Sequence, residues 1–582
     1  MFPHSPKAMP CFAAPERGET RQIMHKHQTY AARSAIKFFW FLFFQEKERP
    51  PGEGKKKERP PGEGKQGHNW EHACDSGRSC ETVGEAMKQD LSILLPVLLP
   101  VLGGVLVALL PLLRGERARQ RFVAAVLVLT AAAALRLMPG PARELRFTIT
   151  ETVTVYFRTD ELSCVFSALI LLMWLLSGLF SFSYMRHETH HSQYYCFFLL
   201  SQGALLGLAL AGNYITLYLC FEWMTLLTTP LVLHSGTREA GQAATQYQLY
   251  SVAGASLGLL GIPLLLRYGT TLDFTPGGVL DPAAVQGHEG VVRFVFCLVL
   301  LGFGAKAGLY PLFAWLPAAH PVAPAPASAV LSGVITKAGV LAILRVLYYA
   351  VGPAFLAGTW VQTFLLGVAL GTVLMGSTMA LKEKQLKKRM AYSTVSQVSY
   401  ILFGLFLLNG TAMTGALVHV VAHSVCKDAL FLSAGAIIFK TGRTEAGQMR
   451  GIGKEMPIVL WCYTLASLAL VGIPPLCGFL SKWYLCLGAL ESGLPVFSWL
   501  GPVILIVSAL LTAAYLLPIT VQGFFPGQDY DYGALVKKEP DACMCVPLLL
   551  LAAATAFSVA PGPLLALLRG IVSAVFGSGG QL

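Results

Sequence analysis

The chain has 582 residues, of which 13% are Asp, Glu, Lys or Arg and 54% are hydrophobic, with a mean hydropathy of +0.57. Soluble proteins carry about 25% charged residues, so this composition cannot cover a core of such size with a solvated surface. Soluble enzymes and nucleic-acid binders are excluded despite a formal net charge of +12, and a polytopic membrane protein is expected.

Charge is concentrated at the start of the chain. Residues 1–86 hold 14 Lys/Arg and 11 Asp/Glu, about three charges in ten residues against about one in ten afterwards, and such a shift marks a boundary. The nonamer Lys47–Lys55 recurs from Lys57 to Lys65, and Pro and Gly at that density among alternating charges predict disorder. The apolar run Phe38–Phe44 is too short to span a bilayer and lacks the small-residue cleavage site of a signal peptide. The segment reads either as a disordered extension with an interfacial aromatic anchor or as translated non-coding sequence upstream of a start at Met87. The second reading is preferred, because Met87 leads directly through Lys-Gln-Asp into the apolar stretch beginning Leu91-Ser-Ile-Leu-Leu-Pro96.

Beyond Met87 apolar runs recur, each long enough for a helix of roughly 20 residues to cross the hydrocarbon. About fourteen spans are expected, starting with Leu91–Leu113 and Phe122–Met138 and ending with Ala542–Leu568. The runs do not alternate and are about twice the length of a barrel strand, so membrane strands are not expected. If the first span begins outside, the odd-numbered connections face the cytoplasm. They carry Arg114, Arg117, Arg119 and Arg121, then Arg186, Arg238, the group Lys382 to Arg389, the group Lys440 to Lys454, and Lys537 with Lys538. The opposite connections are poorer, with Arg143, Arg146 and Arg158 in one and acidic Asp273, Asp281 and Glu289 in another. The basic excess thus marks a cytoplasmic face.

The informative residues are ionisable groups inside apolar spans: Glu222 in Tyr214–His234, Lys306 in Val291–Tyr310, Lys337 in Ala327–Ala350, His419, His423 and Lys427 in one span, and Lys482 near the end of the span beginning at Pro457. Each costs about 3 kcal/mol to place even on lenient insertion scales, so such groups usually face an internal cavity and mark ion or proton paths. Interhelical pairing or snorkelling is the structural alternative, less apt for so many charges spread over five spans. His419, His423 and Lys427 are spaced i, i+4, i+8 and share a helix face, which suits a relay because imidazole accepts at one nitrogen and donates at the other. Two His at that spacing make a weak metal site without a third ligand. His187, His190 and His191 fall in a polar connection and read as solvated loop.

Two spans are interrupted by Gly and Pro near a Lys, at Gly302–Pro311 around Lys306 and at Gly472–Lys482. Paired broken helices in separate halves of a chain point to inverted repeats with the site at the breaks. The 13 Cys include no CxxC pair, so an iron–sulfur cluster is not expected. Neither a P-loop nor a GxGxxG in strand–helix context occurs. Energy for uphill transport would come from a partner or another gradient.

The stretch from Lys306-Ala-Gly-Leu-Tyr-Pro311 through His320 and Gly333 to Lys337 strongly resembles the antiporter-like subunits of respiratory NADH:quinone oxidoreductase (complex I), Mrp cation/proton antiporters and membrane-bound hydrogenases. Lys388–Gln397, His423–Gly435 and Gly472–Lys482 agree in the same order, and Phe221-Glu222-Trp223 is similar to the family's glutamate segment. The resemblance runs from about Met87 to near the C-terminus. Phe313, and Ala318-Ala319 before His320, resemble the Mrp D-type and hydrogenase-type relatives more than complex I proper.

The resemblance implies an all-α fold of fourteen transmembrane helices with two inverted five-helix repeats. N-terminal helices would occupy residues 87–190, the first half-channel repeat 191–350, the second 351–520, and a C-terminal helix region 521–582. Glu222 and Lys306 would form the charge pair of the first half-channel, Lys337 with His419 and His423 the central axis, joined by Lys427, and Lys482 the position by the exit, with His320 as a further relay group. Burial disfavours the Lys306 ammonium and a nearby Glu222 carboxylate favours it, so withdrawing the carboxylate would release the proton. The implied protein is a proton-conducting subunit of a multi-pass complex in the cell (inner) membrane, coupled to NADH:quinone or hydrogenase-type electron transfer. The alternatives are the D-type component of an Mrp Na+/H+ antiporter and a non-conducting scaffold. Partners would be other membrane subunits, the lipid bilayer, protons or Na+, and no nucleic acid. The chain itself would hold no cofactor, with quinone, NADH and iron–sulfur centres confined to partner subunits.

Overall fold

The computed structural model describes residues 90–577 apart from 139, 141, 151–152, 529 and 531–536. The tandem repeat, the Phe38–Phe44 run and the proposed 1–86 extension lie outside the described residues.

The described residues are mostly helical. We number the helices α1 (Leu95–Leu109), α2 (Glu116–Leu137), α3 (Glu161–Tyr184), α4 (His191–Ala209), α5 (Tyr214–Val232), α6 (Arg238–Tyr268), α7 (Glu289–Ala307), α8 (Trp315–Val322) and α9 (Ala325–Val351). There follow α10 (Trp360–Lys382), α11 (Leu386–Phe406), α12 (Gly410–Thr441), α13 (Pro457–Val471), α14 (Cys477–Glu491), α15 (Phe497–Phe524), α16 (Ala542–Ala554) and α17 (Gly562–Phe576). Among the described residues eleven helices are long and apolar enough to cross a membrane. Helix starts follow local capping chemistry. Asp160 and Ser163 exchange bonds in a capping box ahead of α3, Asn213 caps α5 at Thr216 N, and Asn409 caps α12 at Ala412 N.

The last apolar run departs from the expected single Ala542–Leu568 helix. It stops at Ala554, makes a short 3-10 turn at Phe557–Val559 and restarts at Gly562. Pro561 and Pro563 lack the N–H that a continuous ladder needs there. The 138–160 connection also holds an antiparallel hairpin of β1 (Glu144–Thr148) and β2 (Thr154–Arg158), with Glu144 opposite Arg158, which the hydropathy pattern does not signal. Bridges Phe157–Ala211 and Asn213–Asp273 lace this hairpin to two other connections on the same face, and Arg146 pairs with Asp273 at 2.8 Å.

Burial distinguishes helices that face protein from those that face lipid. The apolar window of α9 is 100% buried and that of α12 is 89%, whereas α2 and α15 reach only 33%. Helix α12 is the central element, packing against α3, α9, α11, α13, α14, α16 and α17. Small residues permit close approach, as between transmembrane helices generally: a Cβ on Gly254 of α6 would lie 2.5 Å from Gly302 O of α7 and 2.8 Å from Ala305. That contact brings α6 against the last turn of α7, where Lys306 resides.

Candidate functional site

Both interrupted spans are broken where Gly and Pro occur. Helix α7 ends at Gly308 (φ +84°), and the chain resumes as α8. Helix α13 ends at Gly472 (φ +96°) and resumes as α14. Each break frees backbone carbonyls that need internal donors. Trp315 Nε1 donates to Ala305 O at 2.9 Å, tying α8 back to the end of α7. Lys482 Nζ donates to Leu470 O at 2.7 Å and Val471 O at 2.8 Å, placing an ammonium at the negative end of the α13 dipole.

Lys306 is fully buried and held by hydroxyls: Nζ donates to Tyr247 OH at 2.5 Å, Thr225 Oγ1 at 3.0 Å and Ser251 Oγ at 3.3 Å. It also lies 4.2 Å from the centroid of the Tyr247 ring, a favourable cation–π position. Tyr247 in turn pairs with Thr228. Glu222, half-buried one turn before Thr225 on α5, accepts from Tyr218 OH at 3.4 Å. Among the described residues no salt bridge joins Glu222 to Lys306. The expected pair is therefore open in this conformation, with a cage of hydroxyls taking the ammonium.

A second group gathers on α9, α12 and α14. The backbone of α9 widens into a π-turn at Leu331–Ile335, a distortion that releases carbonyls. Ser332 O accepts from Lys337 Nζ at 2.7 Å, and Gly333 O accepts from Ser424 Oγ at 2.6 Å. Lys337 Nζ is also 2.5 Å from His423 Nδ1. His423 neighbours His419 at 6.1 Å between ring centroids, and His419 Nδ1 lies 2.8 Å from Ser481 Oγ, beside Lys482. Lys337 with His423 and His419 with Ser481 thus form two bonded pairs, with Lys482 next to Ser481 in the chain, while His419 Nε2 and His423 Nε2 have no hydrogen-bond partner among the described residues. Lys427 points elsewhere, donating to Met390 O at 3.0 Å. His320 is fully buried and stacks on Phe431 at 4.6 Å, with neither ring nitrogen bonded to protein among the described residues. Among the described residues no three His, Cys, Asp or Glu side chains converge as a metal would require.

Several charges have environments that linear spacing does not reveal. Lys387, expected in a cytoplasmic connection, is buried at the start of α11 and donates to Ala323 O at 2.7 Å. Arg119 is likewise buried and bonded to Arg114 O and His191, so His191 is not a freely solvated loop residue, whereas His187 and His190 keep more contact with solvent. Arg345, deep in α9, clasps Asp160 through two bonds of 2.6 and 2.8 Å. Asp428 is fully buried directly after Lys427. Arg345 and Asp428 satisfy the same rule that selects Lys337 and Lys427, a charge within an apolar span, and could have been found by it. The contact of Cys426 with Cys477, 3.7 Å between sulfurs across α12 and α14, leaves no such signal.

The sequence profile of the family described as "NADH:quinone oxidoreductase/Mrp antiporter, TM" matches residues 211–512, a span that contains every intramembrane charge of both groups. NADH-quinone oxidoreductase subunit N of Desulforudis audaxviator is 33% identical over 405 residues, covering 67% of this chain and 79% of that protein. The chain belongs to this family. Hydrogenase-4 component B of Escherichia coli is 33% identical over 349 residues, covering 57% of this chain; the match spans about half, 51%, of that longer protein. A chain of the Mrp complex from Dietzia shares the fold with a TM-score of 0.72 at 23% identity, over 84% of this chain and 99% of that one. The protein is thus an antiporter-like, multi-pass membrane subunit of the type found in complex I, Mrp and hydrogenase-type complexes, and its structural neighbours are subunits of multi-subunit membrane assemblies.

Proposed function

We propose that this antiporter-like subunit conducts protons through its buried polar groups, within a complex of the cell membrane whose other subunits carry out NADH:quinone or hydrogenase-type electron transfer. The observation that carries this reading is the series of polar groups Lys337, His423, His419, Ser481 and Lys482. In it Lys337 bonds His423 at 2.5 Å and His419 bonds Ser481 at 2.8 Å, with the two imidazoles 6.1 Å apart and both Nε2 atoms unbonded among the described residues. Glu222 and Lys306 load the first half of the path. Lys337 and the histidines pass the proton laterally, Lys427 and His320 flank that passage, and Lys482 releases it near the second break. Quinone, NADH and iron–sulfur centres belong to partner subunits in this reading.

The architecture fits fourteen crossings if α7 with α8, α13 with α14, and α16 with α17 each count as one interrupted span. Residues 191–350 and 351–520 then form two inverted five-helix repeats. In support, each repeat breaks one helix at a left-handed Gly followed three residues later by Pro, at Gly308 and Pro311 and at Gly472 and Pro475. Charge shifts in one half alter the field felt by the next, which couples the sites.

A scaffold role predicts a different outcome. In liposomes containing the reconstituted complex, Lys482→Ala is expected to lower proton uptake by about 10²-fold or more, the usual effect of removing a proton-transfer group, while subunit composition on native gels stays unchanged. Equal uptake with an assembled complex would assign Lys482 to assembly alone.

A further inference from the structure

The Asp428 carboxylate has no part in the relay just described, yet its surroundings are unusual. It is fully buried on α12, rotated about 100° from Lys427 by the helix. Oδ2 accepts from Ser177 Oγ of α3 at 3.3 Å. Oδ1 has no hydrogen-bond partner among the described residues and rests against the backbone of Gly333, where any Cβ would overlap it. Gly333 lies in the same π-turn whose Ser332 carbonyl takes Lys337 Nζ. The ammonium thus rests on the carbonyl of Ser332 and the carboxylate on the adjacent Gly333, both within one π-turn of α9 and with no side chain on Gly333 to stand between them.

A carboxylate has about four acceptor positions, and burying it with one bond made is costly unless it is protonated or meets a cation. Lys337 is the cation whose charge acts on Asp428, and its flexible four-carbon stem can swing. We propose that Asp428 is a second acidic station of the proton path, exchanging a proton with Lys337 across Gly333. In the forward step the Lys337 N–H bond breaks and an O–H bond forms on Asp428 Oδ1. The ammonium becomes a neutral amine, the carboxylate becomes a carboxylic acid, and no electrons are transferred. The return step reverses both changes. Lys337 thereby has two outlets, His423 on one side and Asp428 on the other, and Gly333 keeps the second open. This inference rests on the proton-conducting reading above.

The test compares Asp428→Asn, Gly333→Ala and Lys337→Met in the complex reconstituted into liposomes, with proton uptake read by a lumenal dye. Asp428→Asn and Gly333→Ala are each expected to reduce uptake by about 10²-fold with the complex assembled. Should those variants fail to assemble, labelling of Asp428 by dicyclohexylcarbodiimide, which attacks protonated carboxyls in apolar surroundings, decides the matter in the otherwise native complex. Lys337→Met removes the cation whose charge favours the ionised carboxylate, so labelling should rise several-fold. Labelling that ignores Lys337→Met, or full uptake in Asp428→Asn beside an inactive Lys337→Met, would overturn the Asp428 station and leave the relay standing. Full uptake in Lys337→Met would instead overturn the proton-conducting reading itself.

Discussion

Replacing Lys306 by Met, or Glu222 by Gln, is expected to cut proton transport by about 10²–10⁴-fold while leaving the complex assembled. Lys306 Nζ sits among three hydroxyls and an aromatic face, and Met fills nearly the same volume without needing a bond. Thr225, Tyr247 and Ser251 can then bond to each other or to helix carbonyls, as Thr225 Oγ1 already does to Phe221 O at 3.1 Å. Glu222 is half-buried and makes one long bond to Tyr218, so the amide is tolerated sterically but can no longer cycle its charge. Because Glu222 stands off from Lys306 here, the two variants act at different stages. In the proposed path, Glu222→Gln removes the group that recharges Lys306, and Lys306→Met removes the carrier. Vesicle uptake assays on each variant and on the double variant should show the double no worse than the Lys306 variant alone, since groups that act as one unit are not additive.

Arg345→Ala is expected to destabilise the subunit by about 3–5 kcal/mol, because it breaks one half of a buried ion pair. The Arg345 side chain is 1% exposed and Asp160 is 23% exposed, and Arg158, 3.3 Å from Asp160, is a weaker substitute. Burial pushes the Asp160 carboxyl up, but Arg345 and Arg158 outweigh it and hold the group down at about 2. A carboxylate depressed in the folded state contributes stability that is complete above its unfolded value of about 3.9 and is lost as pH falls through the folded value. The stability gap between the native subunit and Asp160→Asn should therefore be constant above about pH 4 and shrink between about pH 4 and 2. Thermal inactivation of the detergent-solubilised complex across that window measures it, and a gap that widens on acidification would contradict the assignment.

The fold is legible in the sequence where its physics is local. Apolar runs locate the spans, and Gly308 and Gly472 with their following prolines locate both breaks, because helix interruption depends on residues adjacent in the chain. Family motifs then mark Lys306, Lys337, His423 and Lys482 as the groups to watch. What a linear reading cannot supply is partnership. The hydroxyl cage of Lys306 draws Thr225 from α5 and Tyr247 with Ser251 from α6, three positions with no charge to advertise them. The π-turn of α9, which aims Ser332 O at Lys337, has no composition signature of its own. The i, i+4, i+8 spacing puts Lys427 on the histidine face, yet eight residues carry a helix about 80° past two full turns, and Lys427 ends on Met390 O instead. Lys387 reads as a loop residue because it precedes an apolar run among other basic residues, whereas its long stem carries the charge inward to Ala323 O.

Arg345 and Asp428 are legible in the sequence as intramembrane charges, but their partners are not. Both follow from the cost of an intramembrane charge, but the family motifs single out other charges. Asp160 gives an independent cue as a helix cap with Ser163 three residues on, although nothing in the linear sequence joins it to a residue 185 positions away.

Protons are proposed to cross through this subunit, and Lys337 is where its polar groups converge, between Ser332 O and His423. The most direct measurement is proton movement into sealed vesicles containing matched amounts of assembled complex, native or carrying Lys337→Met, followed with a lumenal pH dye. A conducting role predicts that the variant falls to the level of passive leak. Undiminished proton movement through the Lys337→Met complex would contradict it.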